Sequence, residues 1–345
     1  NSEIDFVKGA DISWLTGQEA RGEKFYDVTG KERECMDLLK DYQLNAIRLR
    51  VWVNPKDGWC GKEDVLKKAL RAHNLGMDIM LCFHYGDWWA DPAKQPIPKA
   101  WMGMNFKEMK KALANHTMEV ISLLKANGIT PRWVQVGNET SNGMLWNVKT
   151  NERGWEIKDE NGNTTVTYSM GYIKTHPKQY AGFIRAGYDA VKKVSPESIV
   201  IVHLDNGFDA ALYDYNLDTV LKYGGKFDMI GMSLYPYWAM DSKKQPDAET
   251  TITNCMANIR RVGKKYGKDV MIVETGFEVN EKNPQIMEEG RKQLERIIQE
   301  AHHQTDGRCR GVFYWEPQCK PRTYKLGAFS SKGVPTAIMD GFIER

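Results

Sequence analysis

No apolar run approaches the length of about 18 residues that a membrane-spanning helix needs. The six cysteines (Cys35, Cys60, Cys82, Cys255, Cys309, Cys319) include no CxxC pair, so their spacing suggests no zinc site. GxGxxG, the phosphate-binding turn of open doubly wound sheets, is absent. Histidine is scarce, seven in 345 residues with no HxH pair, which argues against a metal-dependent hydrolase built on His84 and His203. Charge of one sign is not in excess: 48 basic against 45 acidic residues leave +3, no footprint for nucleic acid. Low-complexity linkers and tandem modules are missing too, so one domain over 1–345 is expected.

What is present is an ordinary globular composition, 41% hydrophobic and 27% charged, with an unusual share of tryptophan, eleven in all. Exposed indoles are costly unless something flat stacks on them, and a sugar face is one such partner. Cys82 lies in an apolar strand and reads as a buried thiol; Cys255, Cys309 and Cys319 are the candidates for a disulfide, which would imply an oxidising compartment.

Eight strand-like segments recur: 6–13, 45–53, 78–85, 132–137, 198–204, 228–234, 270–273 and 311–315. Helical patterns at 31–43, 62–74, 106–126, 177–194, 250–266 and 285–303 lie between them. Gly76, Gly128 and Gly267 fit left-handed helix C-caps before the next strand. Strand–helix alternation of this kind predicts an α/β fold, a (β/α)8 TIM barrel, with enlarged loops after strands 3 and 4. Residues 155–168, with Asn161-Gly162, predict a hairpin inserted in loop 4.

Function concentrates at the strand ends. In strand 2, NAIRLRVWV, alternation sends Ile47, Leu49, Val51 and Val53 to the helices and Arg48, Arg50 and Trp52 into the barrel. Two buried arginines need anions. RWVQVGNET ends an apolar strand at Glu139, and VMIVETG ends another at Glu274; these two carboxylates are the expected counter-ions. Strand 3 ends in FHYGDWWADP, offering His84, Asp87, Trp88 and Asp91 as a sugar-binding rim. Strand 5 supplies His203, Asp205 and Asn206; strand 6 supplies Tyr235 and Trp238; strand 8 supplies Trp315 and Glu316. Two carboxyl groups astride a glycosidic bond are what its hydrolysis requires. Strict alternation, however, sends Asn138 outward when Gln135, Gly137 and Glu139 point inward, so the strand must bulge or twist for Asn138 to reach the same pocket.

GADISWL, RLRVWVNP, FHYGDWWADP followed by PKAW, VQVGNET and VETGF occur in one register almost end to end, and together they resemble glycoside hydrolase family 53, the endo-β-1,4-galactanases. The resemblance implies Glu139 as acid/base and Glu274 as nucleophile of a retaining double displacement. It implies Asn138 at the sugar 2-hydroxyl, Arg48 and Tyr235 beside the nucleophile, and Trp315 as the floor of subsite −1. Trp52, His84, Asp87, Trp88 and His203 complete the expected substrate-binding set. No cofactor and no metal ligand is expected: the loop TGFEVNEKNPQ after strand 7 is short and lacks the acidic cluster that binds calcium in some relatives. Many relatives carry Ser where this chain has Gly86.

The implied substrate is β-1,4-galactan, a pectin side chain, acted on by a monomer. A polymeric substrate and a first residue Asn1 in place of Met suggest a secreted, periplasmic or cell-surface enzyme with its leader or anchor removed. A retaining endo-glycanase for mannan, xylan or glucan would carry the same Glu pair. A barrel that binds glycans without cleaving them would have no need of it.

Overall fold

The computed structural model describes residues 6–344; residues 1–5 and 345, the ends of the expected domain, lie outside it. Strands β1 (Val7–Asp11), β2 (Ala46–Val51), β3 (Asp78–Phe83), β4 (Trp133–Val136), β5 (Ile199–Leu204), β6 (Met229–Leu234), β7 (Asp269–Thr275) and β8 (Cys309–Trp315) close a barrel in chain order. Every neighbouring pair is parallel, β1 with β8 included. Parallel strands need long crossovers, and helices supply them: α1 (Cys35–Asp41), α2 (Lys62–Asn74), α3 (Phe106–Ala126), α4 (Pro177–Val194), α5 (Ala210–Lys222), α6 (Ala248–Tyr266) and α7 (Pro284–His303). After β8 a 3-10 turn, Ala337–Phe342, packs against α7. This is a (β/α)8 barrel, as the alternation predicts. No helix among the described residues is long and apolar enough to cross a membrane.

Local sequence explains the punctuation. Asn105 caps α3 through a box with Glu108: its side chain accepts from the Glu108 N–H at 2.9 Å, and Glu108 accepts from the Asn105 N–H at 3.1 Å. Gly267 ends α6 in the left-handed region at φ +63°.

Inside the barrel, the lower part is apolar: Val7, Ala46, Met80, Trp133, Ile201, Met229, Met271, Val273 and Phe313 pack as one cluster. Glycines on neighbouring strands leave room for its larger side chains. A Cβ on Gly9 would lie 2.4 Å from the Phe313 ring, and one on Gly231 would lie 2.8 Å from Ile201 Cγ2 and 3.3 Å from His203 Cβ. Gly231 therefore leaves the room in which His203 sits. Above this plug the interior turns polar, and that layer is the floor of the site.

Three expectations need correction. The helix expected from residue 31 starts only at Cys35, because Glu32–Arg33 pairs with Phe25–Tyr26 in a small antiparallel ribbon. The loop-4 hairpin is larger than expected: its paired strands are Gly143–Val148 and Val166–Tyr172. Asn161-Gly162 lies at its tip, where the Gly162 N–H donates to the Asp159 carbonyl at 2.9 Å. All six cysteines are buried free thiols, so the candidates Cys255, Cys309 and Cys319 form no disulfide.

Candidate active site

Both candidate carboxylates are aimed by a break in strand alternation. After β4, Gly137 takes φ +92° and Glu139 φ +46°. These two left-handed steps turn Asn138 and Glu139 toward the same interior, which resolves the conflict that strict alternation poses for Asn138. The turn is braced on all sides. Gln95 Nε2 donates to the carbonyls of Asn138 (2.9 Å) and Glu139 (3.2 Å). The Thr140 N–H donates to the His203 carbonyl at 2.9 Å, and Thr140 Oγ1 meets the Tyr180 hydroxyl of α4 at 2.8 Å. In β7 the register slips: Met232 faces Ile272, but Ser233 faces Glu274, so Val273 is an extra residue. A bulge of this kind re-aims the next side chain. It brings Glu274 inward, although Val273 also packs inside.

The two carboxylates meet. One oxygen of each lies within 4.8 Å of the other. Their surroundings differ. Glu274 accepts from the Tyr235 hydroxyl at 2.6 Å and lies 3.2 Å from Arg48 Nη2. Burial pushes its pKa above the ordinary carboxylate value, and Arg48 and Tyr235 pull it only part of the way back. Among the described residues Glu139 has no cationic partner; its Oε2 accepts from Ser233 Oγ at 3.0 Å. Burial first, then the neighbouring Glu274, Asp205 and Asp91, hold its pKa well above the carboxylate range. Of the two, Glu139 keeps the proton and Glu274 keeps the charge.

The arginines are balanced by a different set of anions from the expected one. Arg48 pairs with Asp11 (3.0 Å) and Glu274; Arg50 pairs with Glu316 (2.8 Å) and lies 3.8 Å from Asp11 Oδ1. Glu139 is not a counter-ion. Asp11, inward on β1, and Glu316, after β8, take that place.

A cleft of about 340 Å³ opens above the pair, lined by Asp91, Asp205, Asn206, Ser233, Tyr235, Trp238, Trp315 and Tyr324 besides the two glutamates. Asn138 is buried beneath it: its Oδ1 accepts from Arg48 Nη2 at 2.8 Å, and its Nδ2 donates to the Ala90 carbonyl at 2.8 Å. A second cavity of about 180 Å³ lies on the side of the loops after β1–β3, lined by Trp14, Trp52, Trp59, Trp88 and Trp89. Trp88 is 51% exposed there. Arg50 lies under these rings, 4.4 Å from the Trp89 centroid and 5.2 Å from that of Trp14. Trp315 joins the two cavities, with ring centroids 5.0 Å from Trp14 and 6.0 Å from Trp89.

The remaining expected residues separate. Tyr235 and Trp315 line the cleft. Trp52 and Trp88 line the tryptophan cavity. Asp87 braces a loop instead: it accepts from the main-chain N–H groups of Asn54 and Lys99, both at 2.9 Å. His84 is buried, its Nδ1 accepting from Trp52 Nε1 and the Ala90 N–H, both at 3.2 Å. His203 is buried and engages Gln135, the Glu139 N–H and Ser233. Both its nitrogens are therefore in use, and the Glu139–His203–Glu274 group offers a metal no free imidazole lone pair. Sequence reasoning did not single out Ser233, Gln135 as a working group, or Tyr324. Ser233 follows Met232 in an otherwise apolar strand, and its polarity there was the one available signal.

Comparison with known proteins identifies the family. The profile of glycosyl hydrolase family 53 matches residues 7–337. The chain is 31% identical over 331 residues to a probable arabinogalactan endo-β-1,4-galactanase A of Neosartorya fischeri, covering 90% of this chain and 83% of that protein. It is 29% identical over 341 residues to an endo-β-1,4-galactanase of Bacillus subtilis, covering 92% of this chain and 71% of that one. In fold it resembles a fungal β-1,4-galactanase with a TM-score of 0.81 at 24% identity, over 97% of this chain and 98% of the other. The chain belongs to glycosyl hydrolase family 53 and is a glycoside hydrolase.

Proposed function

We propose that this protein is a retaining endo-β-1,4-galactanase that cuts internal bonds of galactan and type I arabinogalactan. The observation that carries the retaining reading is the approach of the two carboxylates to within 4.8 Å. Retaining enzymes hold theirs about 5–5.5 Å apart, whereas inverting ones leave about 6.5–9.5 Å for a water. The different partners of the pair divide the labour. Glu274, charged beside Arg48, attacks the anomeric carbon while Glu139 gives its proton to the departing glycosidic oxygen. The covalent galactosyl ester on Glu274 then meets a water. Glu139 takes that water's proton, the hydroxyl adds to the anomeric carbon, and Glu274 leaves as a carboxylate. Asn138, held by Arg48, is the group for the sugar 2-hydroxyl. Trp315 floors the reacting subsite, and Trp52 and Trp88 offer further faces in the adjoining cavity.

Galactan is favoured by the names of the family relatives. A polymer of that kind is met outside the cytoplasm, so a secreted, periplasmic or surface address goes with the reading. The test is to incubate the protein with linear β-1,4-galactan, mannan, xylan and cellulose and follow reducing ends. NMR meanwhile identifies the anomer that forms first. Release from galactan with the β-anomer first is expected. Release only from another polymer defeats the specificity, and the α-anomer first defeats the double displacement.

A further inference from the structure

Arg48 touches the nucleophile directly, and from the same guanidinium a second path leads to the acid/base. Arg48 Nε donates to Gln135 Oε1 at 2.8 Å. That bond fixes the amide, because its oxygen faces the arginine and its nitrogen must face the other way. Gln135 Nε2 lies 3.0 Å from His203 Nδ1. The main-chain N–H of Glu139 also points at Nδ1, at 3.2 Å. A backbone N–H can only donate, so Nδ1 is an acceptor and carries no proton. His203 is neutral: burial first, then the charge of Arg48, keeps its pKa well below the usual value. Its one proton is therefore on Nε2, which meets Ser233 Oγ at 2.8 Å and donates to it. Ser233, having accepted, gives its own hydrogen to Glu139 Oε2 at 3.0 Å. Gln135, His203 and Ser233 are all buried.

We propose that Gln135, His203 and Ser233 form a one-way hydrogen-bond relay through which Arg48 transmits the charge state of Glu274 to Glu139. The inference rests on the double-displacement reading above. Every donor in the chain points from Arg48 toward Glu139, so the bonds polarise one another in one sense. Two consequences follow from that direction. Glu139 Oε2 is committed as an acceptor, which leaves Oε1 to carry the catalytic proton. When Glu274 becomes an ester, Asp11 is the one close anion that Arg48 keeps among the described residues. Its uncompensated charge then draws the relay toward stabilising an ionised Glu139, the form needed to take the proton of water. Gln135, His203 and Ser233 are positioning residues: each acts on Glu139 through the next bond of the chain.

Other groups act on Glu139 directly: Glu274 from β7, Asp205 after β5, Asp91 after β3, and the Tyr235 and Tyr324 hydroxyls, which line the same cleft. Loss of the Glu274 charge would by itself ease ionisation of Glu139, so the test must break the relay without touching either carboxylate. Gln135→Met does so. The titration of Glu139 is followed by carboxyl carbon NMR in the free enzyme and in the enzyme trapped as its 2-deoxy-2-fluorogalactosyl ester. In the free enzyme, Ser233→Ala and Gln135→Met should each raise the Glu139 midpoint by about half a pH unit or more, and the double variant no further than Ser233→Ala alone. Ser233→Thr, which keeps the hydroxyl, should restore it. The fall in midpoint on trapping should be smaller in Gln135→Met than in the parent.

If Ser233→Ala moves the midpoint and Gln135→Met does not, Ser233 acts alone and the relay is overturned; so too if neither moves it. His203→Gln interrupts the same chain one link later and decides the matter should Gln135→Met not fold. Failure of the trapped ester to form on Glu274 would count against the double displacement instead, and the free-enzyme titrations would still judge the relay.

Discussion

A Cβ on Gly137 would sit 2.5 Å from Thr140 Cγ2, and Gly137 itself stands at φ +92°. Two independent penalties therefore fall on any side chain at this position. A left-handed conformation costs a non-glycine residue on the order of 1–3 kcal/mol, and the contact with Thr140 cannot relax cheaply because Tyr180 and the His203 carbonyl hold that threonine. Gly137→Ala should lower stability in denaturant by about 2 kcal/mol or more and reduce turnover by orders of magnitude, since Asn138 and Glu139 both ride on the turn. Gly162→Ala is the control. Gly162 has φ +77° at the hairpin tip but nothing within 4 Å of its would-be Cβ, so it should lose a smaller amount of stability and keep its activity.

Tyr235 makes a short contact to Glu274, the proposed nucleophile: 2.6 Å from its hydroxyl to Glu274 Oε1. Burial first, and then Glu274, raise the tyrosine pKa well above its ordinary value, so it remains a donor throughout the working range. The bond favours the charged form of Glu274 and so lowers its pKa. Removing it must move that pKa up. Tyr235→Phe should therefore shift the acidic limb of kcat/KM to higher pH. A hydrogen bond to a charged group is worth about 1.5–3 kcal/mol, so turnover should fall about tenfold to a hundredfold. A profile unchanged in its acidic limb would mean that Glu274 is not the group ionising there.

The sequence made the barrel readable because each element carries its own signal. The period-2 pattern of β2 places Arg48 and Arg50 inside with no knowledge of the other strands, and the glycines after α2, α3 and α6 mark helix ends by their φ alone. Glu139 and Glu274 were legible for the same local reason, each a carboxylate ending an apolar run. What could not be read is whatever depends on closure. Asp11 and Glu316 become counter-ions because β1 and β8 lie beside each other in the closed ring, although more than 300 residues separate the pair in the chain. Ser233 becomes the partner of Glu139 only because β5 and β6 bring His203 and Ser233 within 2.8 Å. Asp87 misled for the converse reason: an aspartate beside two tryptophans has a sugar-binding composition, but both its oxygens are spent on backbone N–H groups.

That distinction can be measured. Asp87→Ala leaves two main-chain donors, at Asn54 and Lys99, without their acceptor. It should lower stability by about 2 kcal/mol or more and leave KM for short oligosaccharides close to the parent value. Trp88→Ala should do the reverse. The indole is 51% exposed and meets the fold through the rings of Trp52 and Trp89, so stability should fall little. Covering such a ring with a sugar face contributes on the order of 1–2 kcal/mol, so KM for polymeric galactan should rise about tenfold. If Asp87→Ala raised KM without loss of stability, the loop-bracing role would be wrong.

The unequal surroundings of the two glutamates lead to unequal failures when each is removed. In the proposed cycle Glu139 has only to protonate a leaving group in the first step, and an aryl galactoside with an acidic phenol leaves without help. Glu139→Ala should therefore keep near-parent formation of the glycosyl-enzyme from such a substrate. Galactan cleavage, which needs the proton, should drop by about 10²–10⁴-fold, the range for general acid–base catalysis. The ester should then accumulate, because no base remains to activate water, and azide, which needs no base, should release it as the β-galactosyl azide. Glu274→Ala has no atom to bond to the sugar, so both substrates should fail and azide should not restore the β product. Equal losses on aryl galactoside and galactan in Glu139→Ala would remove the acid/base role from Glu139. An active Glu274→Ala would remove the nucleophile from Glu274. The structure sets the direction of this contrast in advance, because Arg48 and Tyr235 oppose the effect of burial on Glu274, while burial first and then three neighbouring acids keep the proton on Glu139.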